Sequence, residues 1–291
     1  MDDCVYHIPA LLNECIEGLN IHPDGTYIDV TFGGGGHSRA IMEHLSDRGR
    51  LFSFDQDRDA YRNRIDDPRW QFVHGNFRYL SQFMDYYGVT SVDGIIADLG
   101  VSFHHFDEAE RGFSFRFSGP LDMRMNQAGG KTAADVVNTY TEEQLSQVLY
   151  LYGELKNARS LAHRLIEMRP ILTTEQLSSI SQDKKVLTCL FQALRIEVND
   201  ELGALRRMLN AALSLLSPSG RIVVLTYHSL EDRIVKNFLR SGNIDGTIHK
   251  DFYGNPLTPF RLLEKGRMAS ADEVERNPRS RSAKLRIAEK I

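Results

Sequence analysis

The chain has 291 residues, 42% of them hydrophobic and 25% charged, with a formal net charge of −4. That length suits one large domain or a core domain carrying an insertion, and no apolar run reaches the roughly 18 residues of a membrane span. Cys4, Cys15 and Cys189 have no metal-ligand spacing and are too few for a disulfide framework. The acidic start "MDDCVYHIPALL" is not a secretory signal, so a cytoplasmic protein with no membrane partner and no metal centre is expected.

Residues 8–19 place Leu11, Leu12, Cys15, Ile16 and Leu19 on one helical face, with Pro9 near the start. "TYIDVTF" then reads as a strand, "SRAIMEHLSD" as a helix and "RLFSFD" as a second strand. A helix-like "RDAYRNRI", a short strand at "WQFVHG", a helix over Tyr79 to Tyr87 and an apolar strand "VDGIIADL" follow. Strands alternating with helices predict a parallel, doubly wound α/β sheet with right-handed crossovers. The next strand is "RIVVLTY", Arg221 to Tyr227, too far on for an ordinary crossover of about 30 residues. The intervening text is helical, including one long helix spaced from Leu187 to Leu216 and stopped by "SPSG". A helical lid domain inserted over residues 104–203 is expected, within a catalytic domain of residues 1–103 and 204–291. Residues 251–281, rich in Pro, Gly and charge, read as loops, and "AKLRIAEK" as a half-buried last strand.

Four glycines, Gly33 to Gly36, lie between the first strand and its helix, where α/β sheets bind ligands. The loop lacks the Lys-Ser/Thr pair of a phosphate-binding P-loop and the third glycine of the dinucleotide fingerprint. Asp55 ends the next strand, where a carboxylate can accept both hydroxyls of a ribose. Loop and carboxylate together suit an adenosine cofactor; a glycine turn without a ligand is the alternative. Asp98 ends the fourth strand at the same crevice, either to bind an amine or to cap the next turn. "RGFSFRFSGPLDMRM" interleaves Arg111, Arg116 and Arg124 with Phe113, Phe115 and Phe117. Such a mixture suits single-stranded nucleic acid, whereas strict alternation of the phenylalanines suits a half-buried β segment. In "TYHSLEDR", Ser229 and Asp232 resemble a capping box. His228 before it is placed either to reach a substrate or to satisfy a backbone group. Residues 276–291 hold six cations (Arg276, Arg279, Arg281, Lys284, Arg286, Lys290) against Glu289 alone. The acidic excess therefore lies in the rest of the chain, and the tail reads as a site for an anionic partner or as a solvated polar end.

The motifs "IDVTFGGGGHS", "DGIIADLGVS", "ERGFSF", "GPLDMRM", "FQALRIEVNDEL", "HSLEDR" and "NPRSRSAKLR", in this order, span essentially the whole chain. Together they resemble the bacterial 16S rRNA cytosine-N(4)-methyltransferase family. The resemblance implies a class I S-adenosylmethionine-dependent methyltransferase fold, Rossmann-like, with an inserted helical domain. It also implies methylation of a cytidine in the decoding region of 16S rRNA, within the small ribosomal subunit or a late precursor, and is compatible with a homodimer. By the same resemblance Gly35, Gly36 and His37 line the cofactor loop, Asp55 takes the ribose, Phe77 sits by the adenine, and Asp98 lies near the methionine amino group. His105 stands where the family commonly has glutamine, and the His-Pro pair found upstream of "FQALRIEVN" in many members is missing.

The implied reaction is in-line displacement at a sulfonium methyl by the exocyclic amine of cytosine, with positioning supplying roughly 7–11 kcal/mol of the barrier. Asp98 is the first candidate for the polar contact at the amine, with Tyr227 and His228 next. Arg111, Phe113, Arg116, Arg124, Arg279, Arg281 and Lys284 are candidates for holding RNA around the unstacked base. A side chain is expected to do most harm at Gly35 and Gly36 and least at Gly34. A nicotinamide-dependent oxidoreductase would use the same loop and Asp55, and a non-catalytic RNA-binding protein would need neither.

Overall fold

Apolar residues that alternate along a buried strand feed two cores at once, one on each face of a sheet, and both faces then need helices. The computed structural model describes residues 9–100, 106 and 108–291. The chain runs through α1 (Leu12–Leu19), β1 (Thr26–Asp29), α2 (Gly36–His44), β2 (Arg50–Asp55), β3 (Trp70–His74), α3 (Leu80–Tyr86) and β4 (Val92–Asp98). Then come α4 (Ala133–Thr139), α5 (Glu142–Gly153), α6 (Ala158–Glu167), α7 (Thr174–Ser178), α8 (Lys184–Asn199) and α9 (Glu201–Leu215). The last part holds β5 (Leu216–Thr226), α10 (Ser229–Ser241), β6 (His249–Lys250), β7 (Pro256–Leu257), β8 (Phe260–Met268), α11 (Ala271–Arg276) and β9 (Lys284–Lys290). Two compact units result, one of residues 1–100 with 203–291, the other of residues 101–202.

The first unit is built on a seven-stranded sheet of order β3-β2-β1-β4-β5-β9-β8. β1 to β5 are parallel, and β9 lies antiparallel between β5 and β8. This is a doubly wound, Rossmann-like sheet, as the alternation of strands and helices predicts. Ile28, Ile95, Ala97, Ile222 and Val224 point into a core closed by Leu80 and Met84 of α3, Leu205 and Leu209 of α9, and Val235 and Phe238 of α10. Tyr27, Ile96, Val223 and Leu225 point the other way, onto Leu11, Cys15 and Leu19 at α1 and Ile41 and Met42 of α2. The order of strands reverses between β1 and β4, so a crevice opens outside their carboxyl ends.

The second unit is helical and has its own core of leucines, including Leu145, Leu149, Leu161, Leu165, Leu190 and Leu194. Its helices start where Thr132, Thr141 and Thr173 each close a reciprocal capping box with the residue three further on.

Four sequence expectations fail. The helix from Leu187 to Leu216 is broken at Asp200, which adopts the left-handed conformation (φ 48°). Asn199 is the local cause: its side chain accepts from Met125 N (2.8 Å) and donates to Met123 O (2.8 Å), which ties the helix end to a loop. Residues 251–281 contain a nine-residue strand, β8, whose charges lie on an exposed edge and whose Gly266 (φ 130°) accompanies a register shift. β9 is in turn covered by strands on both sides and buried on both faces rather than half-exposed. "RGFSFRF" forms no strand, only turns and a short 3-10 helix at Ala109–Arg111.

Candidate functional site

The parallel strands all deliver their carboxyl ends to one edge of the sheet unit. After β1, Phe32 O accepts from Gly35 N (2.7 Å), folding the glycines into a tight turn. Gly33 (φ 51°) and Gly35 (φ 79°) sit in the left-handed region, where glycine alone is unstrained. A Cβ on Gly35 would come 2.3 Å from Arg39 Nη1, and one on Gly36 would come 2.1 Å from Pro9 Cγ. At Gly34 it would meet nothing within 4 Å. The harm expected at Gly35 and Gly36, and the tolerance at Gly34, thus have a steric basis; the strain at Gly33 has no such signal in the sequence.

A buried polar chain fixes this turn to the sheet. Asp29 accepts from Ser38 Oγ (2.6 Å) and Thr31 N (3.0 Å), Ser38 Oγ lies 2.7 Å from Ser53 Oγ, and Trp70 Nε1 donates to Ser53 (2.8 Å). Burial raises the Asp29 carboxyl above its usual range against those hydrogen bonds. Thr31 Oγ1 then accepts from Asp98 N (2.7 Å), which couples the turn to β4. Sequence reasoning missed this network, because its members come from five separate segments.

Asp55, at the end of β2, accepts from Gly33 N and Asp57 N (2.8 Å each). Burial pushes its carboxyl up to about 6, opposed by those two N–H groups. Phe77 lies in a 3-10 turn after β3, capped by Asn76 and half-buried against the core. Asp98 ends β4. Its Oδ1 accepts from the Tyr227 hydroxyl (2.6 Å), and its Oδ2 lies 3.7 Å from His37 Nδ1. Burial raises the Asp98 carboxyl to about 7; the Tyr227 hydrogen bond opposes the rise and the charge of Glu231 adds to it. Burial and the Asp98 charge likewise hold the Tyr227 phenol well above its ordinary value. The His37 imidazole is buried, its Nε2 has no hydrogen-bond partner among the described residues, and desolvation lowers its pKa. Gly35, Gly36, His37, Asp55, Asp98 and Tyr227 therefore share one edge of the sheet unit.

His228 does not present a free imidazole at that edge. It is the N-cap of α10: its Nδ1 accepts from Glu231 N (3.4 Å), and its Nε2 lies 3.1 Å from Glu231 Oε1. The cap expected at Ser229 is thus displaced by one residue. Glu231, which was not singled out, is buried and accepts from Tyr227 N (2.9 Å), so it positions both neighbours. His105 lies outside the described residues.

The candidates for holding RNA divide. Arg111 is buried and donates to the carbonyls of Arg124 (3.2 Å) and Met125 (3.1 Å), and Phe113 belongs to the helical core. Both are structural, since neither a buried guanidinium nor a core ring can meet a phosphate or a base. Arg124 holds Asp122 in a two-pronged ion pair (2.8 Å each), while Arg116 and Phe117 are exposed. Lys284 donates to Asp232 (3.1 Å), beside the buried Arg286, and Lys290 donates to the carbonyls of Leu213 (2.8 Å) and Leu216 (2.6 Å). Half of the basic C-terminus thus goes into internal ion pairs and caps, while Arg276, Arg279 and Arg281 are exposed.

The chain is similar to known proteins over its full length. Proteins named ribosomal RNA small subunit methyltransferase H are 57% identical to the chain in Bacteroides thetaiotaomicron (over 300 residues, 99% of each chain) and in Parabacteroides distasonis (over 301 residues, 99% of each). The one from Porphyromonas gingivalis is 57% identical over 305 residues, covering 99% of this chain and 98% of its own. The model of the MraW methylase family matches residues 4–291, and the chain belongs to that family.

Proposed function

We propose that the protein transfers a methyl group from S-adenosylmethionine to the N(4) amine of a cytidine in the decoding region of 16S rRNA. The observation that carries this reading is Asp98: a carboxylate at the switch point, only 19% exposed, beside the glycine turn and accepting a 2.6 Å hydrogen bond from the Tyr227 hydroxyl. Full-length similarity to proteins named small-subunit rRNA methyltransferases supplies the substrate class.

The residues present fit the cofactor. A carboxylate raised to about 7 favours a cationic neighbour, and Asp98 Oδ2 keeps acceptor capacity that His37 at 3.7 Å does not fill. The open space at Gly34 and the orphaned His37 Nε2 leave room and a polar atom at the turn. Gly35, Gly36 and His37 would hold the amino-acid end, Asp55 the ribose, and Phe77 the adenine. When bound, S-adenosylmethionine supplies the methyl carbon on a positively charged sulfur and leaves as the neutral thioether.

The chain's own task is to fix the cytosine amine in line with that methyl group. The amine's lone pair is conjugated into the ring, so it attacks only as the nitrogen pyramidalises. Asp98 accepts an N–H hydrogen bond from it, and Tyr227 holds the Asp98 carboxylate in one orientation while Glu231 anchors the Tyr227 backbone. Asp98 or water takes the proton the amine gives up. His228 contributes as the cap that places Glu231.

The helical insert, residues 104–203, acts as substrate-recognition lid of the catalytic domain, residues 1–103 and 204–291. The substrate is the small subunit or a late precursor, met in the cytoplasm, and the active form is compatible with a homodimer. Incubation of the enzyme and labelled S-adenosylmethionine with unmethylated small subunits and with naked rRNA tests the reading. N(4)-methylcytidine is expected in at least one digest. Its absence from both, with thermal stabilisation by NAD but not by S-adenosylhomocysteine, would point instead to an oxidoreductase.

A further inference from the structure

The exposed side chains of α10 have one sign. Lys236 and Arg240, four residues apart, share one face and are exposed. The two acidic residues of the helix turn inward, Glu231 onto Tyr227 N and Asp232 onto Lys284 and Arg286. The helix starts at the carboxyl edge of β5 and runs back about 20 Å to the other edge of the sheet.

At that far edge the chain makes a hairpin of β6 and β7 before entering β8, whose first residue, Phe260, pairs with Lys290 next to the start of β5. Arg240 donates to Gly246 O (3.3 Å) in the connection, so the cationic face leads directly to the hairpin. The tip is a built turn. Asp251 Oδ1 accepts from Tyr253 N and Asn255 N (2.8 Å each), Asp251 O accepts from Gly254 N (3.0 Å), and Gly254 takes φ 89°. This turn holds Phe252 and Tyr253 out into solvent, 98% and 85% exposed, edge to face at 5.6 Å, with His249 and Lys250 exposed beside them. Two aromatic rings left bare on an ordered turn contribute nothing to the core of the unit.

We infer that the cationic face of α10 and the hairpin tip form a track for single-stranded RNA that leads away from the catalytic edge, cations pairing phosphates along the helix and Phe252 and Tyr253 stacking bases at its end. This rests on the reading that the substrate is RNA. It places the RNA on surfaces other than the arginine–phenylalanine segment and the C-terminal strand, whose cations are largely used inside the fold.

The test uses the full chain and an oligocytidylate of about 16 nucleotides, the upper end of a single module's site size. Phe252→Ala/Tyr253→Ala alters only exposed rings, and Lys236→Glu alters one exposed cation, so both proteins should keep wild-type melting temperatures and S-adenosylhomocysteine affinity. Each is expected to weaken RNA binding on the order of tenfold. Lys236→Glu should also flatten the plot of log K against log salt by about 0.7 for each phosphate no longer neutralised. With small subunits as substrate, KM should rise while kcat holds. Wild-type RNA binding and KM in both variants overturn the inference. Unchanged oligonucleotide binding with a raised KM for subunits also overturns it, and assigns the tip to a ribosomal protein. A wild-type enzyme that neither binds RNA nor transfers methyl groups would bring down the function as well, a result distinct from either.

Discussion

Ionising Asp98 costs free energy because its pocket removes water from the carboxylate and provides one strong donor, Tyr227, while Glu231 repels it. The folded protein holds this proton to about 7, whereas an unfolded chain releases it near the ordinary 3.8. Stability from this group is therefore complete below about 4 and falls as pH rises to about 7, by up to about 4 kcal/mol. Asp98→Asn keeps an oxygen for Tyr227 and removes the titration. Relative to wild type it should gain stability between pH 4 and 7 in urea titrations, level off above, and transfer no methyl groups. A stability difference that is flat with pH would remove Asp98 as the raised group. The same carboxylate predicts that wild-type kcat/KM rises with pH through about 7, as the acceptor ionises. At this level the sequence was informative: the strand ending in Asp98 was readable from "IIADL", whereas the tolerance expected at Gly34 came from the family resemblance. His228 was not readable, because whether a histidine reaches out or caps a helix depends on the turn before it.

Arg286 lies in β9 with its guanidinium buried, held by Asp232 of α10 at 2.7 and 3.1 Å and by the carbonyl of Lys265 in β8. One ion pair thus links a helix to two neighbouring strands. Burial draws the Asp232 carboxyl up, but hydrogen bonds and charge from Arg286 and Lys284 prevail and leave it lowered. Removing one partner strands a buried charge, so Asp232→Ala should cost about 3–5 kcal/mol in urea unfolding. Adding Arg286→Met should restore most of the loss; a single-variant cost below about 1 kcal/mol would show that the pair is solvated. Sequence patterning read "AKLRIAEK" as a strand correctly but took its cations either for a site facing an anionic partner or for a solvated end. An alternating strand looks the same whether its polar face meets water or an acid on the helix packed above it. The break at Asp200 was equally hidden, since apolar spacing continues through it and its cause, the Asn199 side chain, acts on residues 123 and 125.

Three hydrophobic cores underlie the two compact units, two in the sheet unit and one in the insert. The sheet carries one on each face, both within residues 10–100 and 205–288, and the leucine core of the insert lies within residues 113–194. Units with complete cores can melt independently. Calorimetry should show two transitions, with S-adenosylhomocysteine raising only the one that belongs to the sheet unit. A single transition that moves as a whole would mean the cores unfold together. Among the described residues no helix is long and apolar enough to cross a membrane. The sequence by itself determined the α/β class, the first four strands, the helical insertion and the glycine–carboxylate edge. Each of these is written locally, in hydrophobic period, turn residues and strand ends. Only the tertiary structure decided which cations reach the surface. Arg111 and Arg286 are consumed in the interior while Lys236 and Arg240 stay exposed, and the difference lies in what packs against each side chain from distant parts of the chain.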